Sequence, residues 1–149
     1  MKSKDLFVKI SVLCVALVFP FYVSRLYAAA GETAVIGQLK FTALGDISCK
    51  VEAADKGSIS GAIVIPATAE INGKSYIVST IAGSAFESCK EITSVTIESN
   101  YLKTIGQRAF LYCSGISDTI FIPASMDAGA TIGIYAFADI FAPVKFLST

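Results

Sequence analysis

Apolar positions along the chain fall into short alternating triplets: "IVI" at 63–65, "VTI" at 95–97, "IFI" at 120–122 and "VKF" at 144–146. Each predicts a short strand with its outer two side chains inward and its middle one outward. Between successive triplets runs a second pattern. "TIAGSAFESC" at 80–89 returns as "TIGQRAFLYC" at 104–113 and again as "TIGIYAFADI" at 131–140. The last three triplets are 25 and 24 residues apart, and Ile81, Ile105 and Ile132 are 24 and 27 apart, so both patterns belong to one repeating coil. Self-similarity at roughly 20–50 residues marks a unit that buries its apolar face only by stacking on its neighbours.

Within the unit, Ala85, Phe86 and Cys89 stand at i, i+1 and i+4, a spacing that predicts a single helical turn with one apolar face. Gly83, Gly106 and Gly133 precede it, where the chain swings from strand into turn. Upstream, Ile47, Cys49, Val51 and Ala53 alternate with Ser48, Lys50 and Glu52, and Asn72-Gly73 between strand formers signals a hairpin. Residues 31–79 therefore read as a β-rich N-terminal cap, followed by three repeats at 80–103, 104–130 and 131–149 in the same domain. A solenoid needs such a cap, because an uncovered first coil presents its core to water.

The start of the chain reads differently. Lys2, Lys4 and Lys9 precede an apolar run of 14 residues from Ile10 to Val23, and alanines at 28–30 follow. That order predicts an export signal over residues 1–30 with cleavage after Ala30, leaving the mature chain outside the cytoplasm. The run is short for a spanning helix and contains Pro20, so no membrane insertion is expected after cleavage. Leu13 before Cys14 does not suit a lipid attachment site. Removing the segment takes away Lys2, Lys4, Lys9, Arg25 and Asp5, and leaves 8 basic and 11 acidic groups. This mild acidity, without a basic patch, argues against nucleic acid.

Three cysteines remain, Cys49, Cys89 and Cys113, and the slot of the latter two holds Ile140 in the third repeat. A slot that takes cysteine or isoleucine is an apolar one, so core packing is preferred to a disulfide. Helical turns in adjacent coils are also expected to lie beyond the roughly 4.4–6.8 Å Cα separation of a bridge. With no histidine and no close cysteine pair, neither a metal nor a cofactor is expected.

The motifs "IVIP", "TIAGSAFESC", "TIGQRAFLYC" and "IFIP" resemble the BspA-type (Treponema pallidum-type) leucine-rich repeats over about residues 59–146. The resemblance implies an α/β, β-rich fold: a short right-handed leucine-rich-repeat solenoid with a β-hairpin cap. It also implies a secreted or cell-surface protein that adheres to host proteins or to other cells. The chain departs from the pattern where "IES" lacks a proline after "VTI", where "SMDAGA" at 125–130 is longer than usual, and where the third repeat lacks its cysteine.

If the triplet strands align, their outward residues Val64, Thr96, Phe121 and Lys145 form one row, flanked by Glu98 and Thr119. An exposed aromatic in a mixed polar strip suits protein recognition, so a host or bacterial surface protein is the expected partner. The alternative is a structural domain that associates with copies of itself, through the edge left by Val144 to Leu147 at the last coil. Catalysis is not expected. Without histidine, a nucleophile lacks its usual base, and a carboxylate glycosidase, the remote alternative, would have to rest on Glu87 and Glu91 at i and i+4.

Overall fold

The computed structural model describes residues 30–126 and 129–147, so the expected export signal lies, but for Ala30, outside the described residues. In chain order the strands are β1 (Thr33–Ile36), β2 (Leu39–Ala43), β3 (Ser48–Ala53), β4 (Gly61–Ile65), β5 (Thr68–Ile71), β6 (Lys74–Ile81), β7 (Ile92–Ile97), β8 (Thr104–Ile105), β9 (Ile120–Ile122), β10 (Thr131–Ile132) and β11 (Val144–Phe146). Among the described residues the one helical element is a 3-10 turn at Ala124–Met126.

Cap and repeats share a sheet. Strands β1, β2 and β3 form an antiparallel meander, and β3 then pairs in parallel with β6, β6 with β8, and β8 with β10. The first half of β6 also closes an antiparallel hairpin with β5. Its turn is Asn72-Gly73, at φ 52° and 79°, the double positive φ that a two-residue hairpin demands. Alternation in β3 works as the sequence indicates: Cys49, Val51 and Ala53 are buried and Ser48, Lys50 and Glu52 half-buried. Ile47, expected to begin that buried row, lies before the strand and is 69% exposed.

The triplets form two further parallel pairs, β4 with β7 and β9 with β11. In β9 the pattern is buried, exposed, buried. In β11 it fails, because Phe146 is 57% exposed: no further coil covers it among the described residues.

The segment between the two sets of strands is not the helical turn that the spacing predicts. Ser84 and Ser88 have φ of 53° and 64°, Arg108 and Tyr112 57° and 60°, and Tyr135 and Asp139 60° and 55°. Left-handed residues at these places turn alternate N–H groups to one side, as successive amides do in a nest. There they meet the next coil. Ser84, Phe86 and Ser88 donate to the carbonyls of Gln107, Ala109 and Leu111 at 2.8, 2.7 and 2.8 Å, and Arg108, Phe110 and Tyr112 donate to those of Ile134, Ala136 and Ala138 at 3.0, 2.8 and 3.2 Å. In a single helical turn the unpaired amides would emerge together at its N-terminal end, along the axis, rather than toward the next coil. The phenylalanines consequently stack in register, with ring centroids 5.1 Å apart for Phe86 and Phe110 and 5.5 Å for Phe110 and Phe137.

Backbone bonding between coils also corrects the reason given against a disulfide, since hydrogen-bonded coils lie closer than helical turns would. Cys49, Cys89 and Cys113 are nonetheless free and buried, and the Cys113 Sγ donates to the Phe86 carbonyl at 2.9 Å. Burial pushes the Cys113 thiol up to about 12 and the Cys49 thiol up to about 11, from 9.0. The unfolded chain releases these protons near pH 9 and the folded chain only near 11–12, so the stability they contribute is intact below pH 9 and declines as pH rises through that window. A lower denaturant midpoint at pH 10.5 than at pH 8 is expected, with slow alkylation of the folded protein and full alkylation after unfolding.

A candidate partner-binding face

The parallel registers decide which outward residues are neighbours. Val64 lies opposite Thr96 in the β4–β7 pair, and Phe121 lies opposite Lys145 in the β9–β11 pair. All four are exposed, Val64 at 47% and Phe121 at 49%. Glu98, just past β7, is exposed and its amide donates to the Ile65 carbonyl at 2.9 Å, which holds it beside the first pair. Thr119, just before β9, is half-buried and so contributes less surface than the sequence suggests.

The row is two pairs rather than one continuous ladder. Strands β7 and β9 belong to separate two-stranded sheets. A backbone bond between their coils comes from before β9, where the Ser117 amide donates to the carbonyl of Thr93 in β7 at 3.1 Å. Residues 114–119 contain no strand there, and a Cβ on Gly115 would stand 2.0 Å from the Lys90 carbonyl oxygen. The outward residues therefore form an apolar–hydroxyl patch, Val64 and Thr96, and an aromatic–cation patch, Phe121 and Lys145.

A second exposed surface escaped the sequence reading. Tyr112, Tyr135 and Phe141 are 50%, 61% and 85% exposed, and a groove of about 710 Å³ runs over the turns between Ser88, Lys90, Tyr112, Asp139 and Phe141. Three of these occupy the left-handed turn slot of their coils. Read as helix, that slot carries no special direction, so the only available signal was its run of serine, tyrosine and aspartate.

For chemistry beyond binding there is little. Among the described residues no group of three or more histidine, cysteine, aspartate or glutamate side chains is placed to hold a metal. Glu87 is half-buried and Glu91 exposed, and the helical face that would have paired them does not form. No helix among the described residues is long and apolar enough to cross a membrane.

Stacked strand-and-turn coils with an in-register phenylalanine column and an N-terminal β-cap define a leucine-rich-repeat module. The chain belongs to the family described as the BspA type leucine rich repeat region, whose model matches residues 67–144. Two solved structures share the fold. One is a leucine rich cell surface protein from Faecalibacterium prausnitzii A2-165, with a TM-score of 0.58 and 21% identity over 80% of this chain. The other is a leucine-rich repeat protein from Bacteroides capillosus, with a TM-score of 0.53 and 22% identity over 78% of this chain. The match covers 34% of the first protein and 99% of the second, so this chain spans about a third of the former's length. No curated protein matches the sequence.

Proposed function

We propose that the protein is an exported, cell-surface binding module that holds a protein partner against the outward face of β4, β7, β9 and β11. The observation that carries this reading is the in-register Phe121–Lys145 pair: a half-exposed aromatic beside an exposed lysine, with the buried Ile120 and Ile122 of β9 anchoring the aromatic's strand. Aromatic anchors with a charged neighbour are the side chains from which interfaces draw most of their affinity. The charged start of the chain and the cell-surface description of the Faecalibacterium protein support the location. A host protein or a protein on another bacterial cell is the partner class this face suits.

The test is a pull-down with the mature chain, residues 31–149, offered matrix proteins, mucosal glycoproteins and whole bacterial cells. Retention of a protein partner by the monomeric domain is expected. Self-association in sedimentation with no partner retained would favour the structural reading instead.

A further inference from the structure

The groove over the turns is built from two rows of side chains that run along the stack. Ser88, Tyr112 and Asp139 fill one slot of the three coils, and Lys90, Ser114 and Phe141 fill the slot two residues on. Coils bonded backbone to backbone lie about 4.8 Å apart, so the groove spans about 10 Å from Lys90 to Phe141. Ser88, Lys90, Tyr112 and Ser114 are exposed with the following coil in place. The groove therefore opens along the side of the stack, and a further coil would lengthen it rather than fill it.

Tyr112 is the residue that neither turn nor core explains. Its φ of 60° is a left-handed conformation that costs less for a short polar residue, such as the Asp139 of the next coil, and half of its surface is exposed. A second hollow of about 310 Å³ lies beside the groove, over Glu87, Arg108 and Tyr135, and Tyr112 and Asp139 border both. The tyrosine is thus a ridge reached from either side.

Side chains must do the recognising here. The amides of Ser88, Lys90 and Tyr112 already donate to the carbonyls of Leu111, Ser88 and Ala138 at 2.8, 3.0 and 3.2 Å, so a peptide cannot add its main chain along these coils. What remains suits hydroxyl groups: Lys90 only donates, Asp139 only accepts, and the hydroxyls of Ser88, Ser114 and Tyr112 do both. Among the described residues none of these groups is held in an ion pair or a side-chain hydrogen bond, whereas the Ser99 and Ser125 hydroxyls are spent on backbone carbonyls at 2.6 and 3.2 Å. One cation and one anion cancel, which gives a polyanion no advantage.

We infer that this groove is a saccharide-binding site, which takes a short run of linked neutral sugar rings laid along the stack. The C–H face of one sugar packs on Tyr112, whose ring face is electron-rich and attracts those hydrogens, while the sugar hydroxyls pair with Lys90, Asp139 and the serines. No residue of the groove belongs to the strand face, so either site can fail without the other.

The test offers the mature chain an array of neutral linear oligosaccharides of glucose, galactose, mannose and N-acetylglucosamine, with sulfated oligosaccharides and unstructured peptides alongside, and follows hits by NMR at millimolar ligand. Retention of a neutral oligosaccharide is expected, with amide shifts centred on Ser88, Lys90, Tyr112 and Ser114. Tyr112→Ser gives the second coil the residue that the first carries in that slot, so the melting temperature should hold. Its affinity should fall about fivefold or more, and Tyr112→Phe should keep most of the parent's. The Phe121→Ser, Lys145→Ser variant of the strand face should bind the saccharide as the parent does. Four outcomes overturn the inference: no neutral oligosaccharide bound, tighter binding of sulfated oligosaccharides or peptides at the same amides, equal binding by Tyr112→Ser, or loss of binding in the strand-face variant.

Discussion

Replacing Phe110 with alanine is expected to cost about 3–5 kcal/mol, read as a fall in the denaturant midpoint. Its ring lies between those of Phe86 and Phe137, 5.1 and 5.5 Å away and nearly parallel to both, and is fully buried. Truncation removes both stacking partners at once and opens a void that neighbouring coils cannot close, because backbone hydrogen bonds hold them at fixed spacing. Total stability for a domain of this size is about 5–15 kcal/mol, so the variant should sit close to unfolding at room temperature. Phe137→Ala should cost less, since that ring is only partly buried and has one ring neighbour.

Equally large effects are expected at two glycines, Gly115 and Gly133. A Cβ on Gly133 would stand 2.3 Å from the Gln107 amide nitrogen, and one on Gly115 would stand 2.0 Å from the Lys90 carbonyl oxygen. In both cases the obstacle is backbone of the preceding coil, which cannot rotate away as a side chain does. Alanine at either position should therefore pry two coils apart, at a cost of about 3 kcal/mol or more. Gly83 occupies the same motif slot as Gly133, yet its Cβ would meet only the Gln107 carbonyl oxygen at 3.7 Å. Thermal denaturation should therefore place Gly83→Ala within about 1 kcal/mol of the parent, although the sequence motif treats the positions as equivalent.

That contrast shows where the sequence was legible. Repeat spacing, the inward and outward residues of "IFI", and the Asn72-Gly73 hairpin all depend on local pattern, and each is seen in the structure. The motif glycines were visible too, but for the wrong reason. None of Gly83, Gly106 and Gly133 has a positive φ; the later two are small because the coil beneath touches them. Ala85, Phe86 and Cys89 gave a helical spacing because i, i+1 and i+4 suits any compact turn, and only hydrogen bonding between coils selects the alternating left-handed form.

The candidate sites divide along the same line. Val64, Thr96, Phe121 and Lys145 were legible as outward residues, since period-two alternation fixes the face of a strand. The break between Thr96 and Phe121 was not, because pairing between β7 and β9 is set between coils, and alternation within one strand does not report it. The outward amides of Tyr135, Phe137 and Asp139, which donate to no carbonyl among the described residues, were hidden for a related reason. A helical turn would have satisfied its amides internally or shown them at one end, whereas this turn directs them sideways.

The claim that the strand face binds a partner is tested most directly by comparing the parent with the Phe121→Ser, Lys145→Ser double variant, against the partner retained in the pull-down. Both side chains are exposed, so the melting temperature should shift by no more than about 0.5 kcal/mol per site implies. Affinity is expected to fall at least about tenfold, the loss of roughly 1.4 kcal/mol that one anchoring aromatic commonly exceeds. A double variant that folds normally and binds as tightly as the parent would contradict the account and remove this face as the recognition surface.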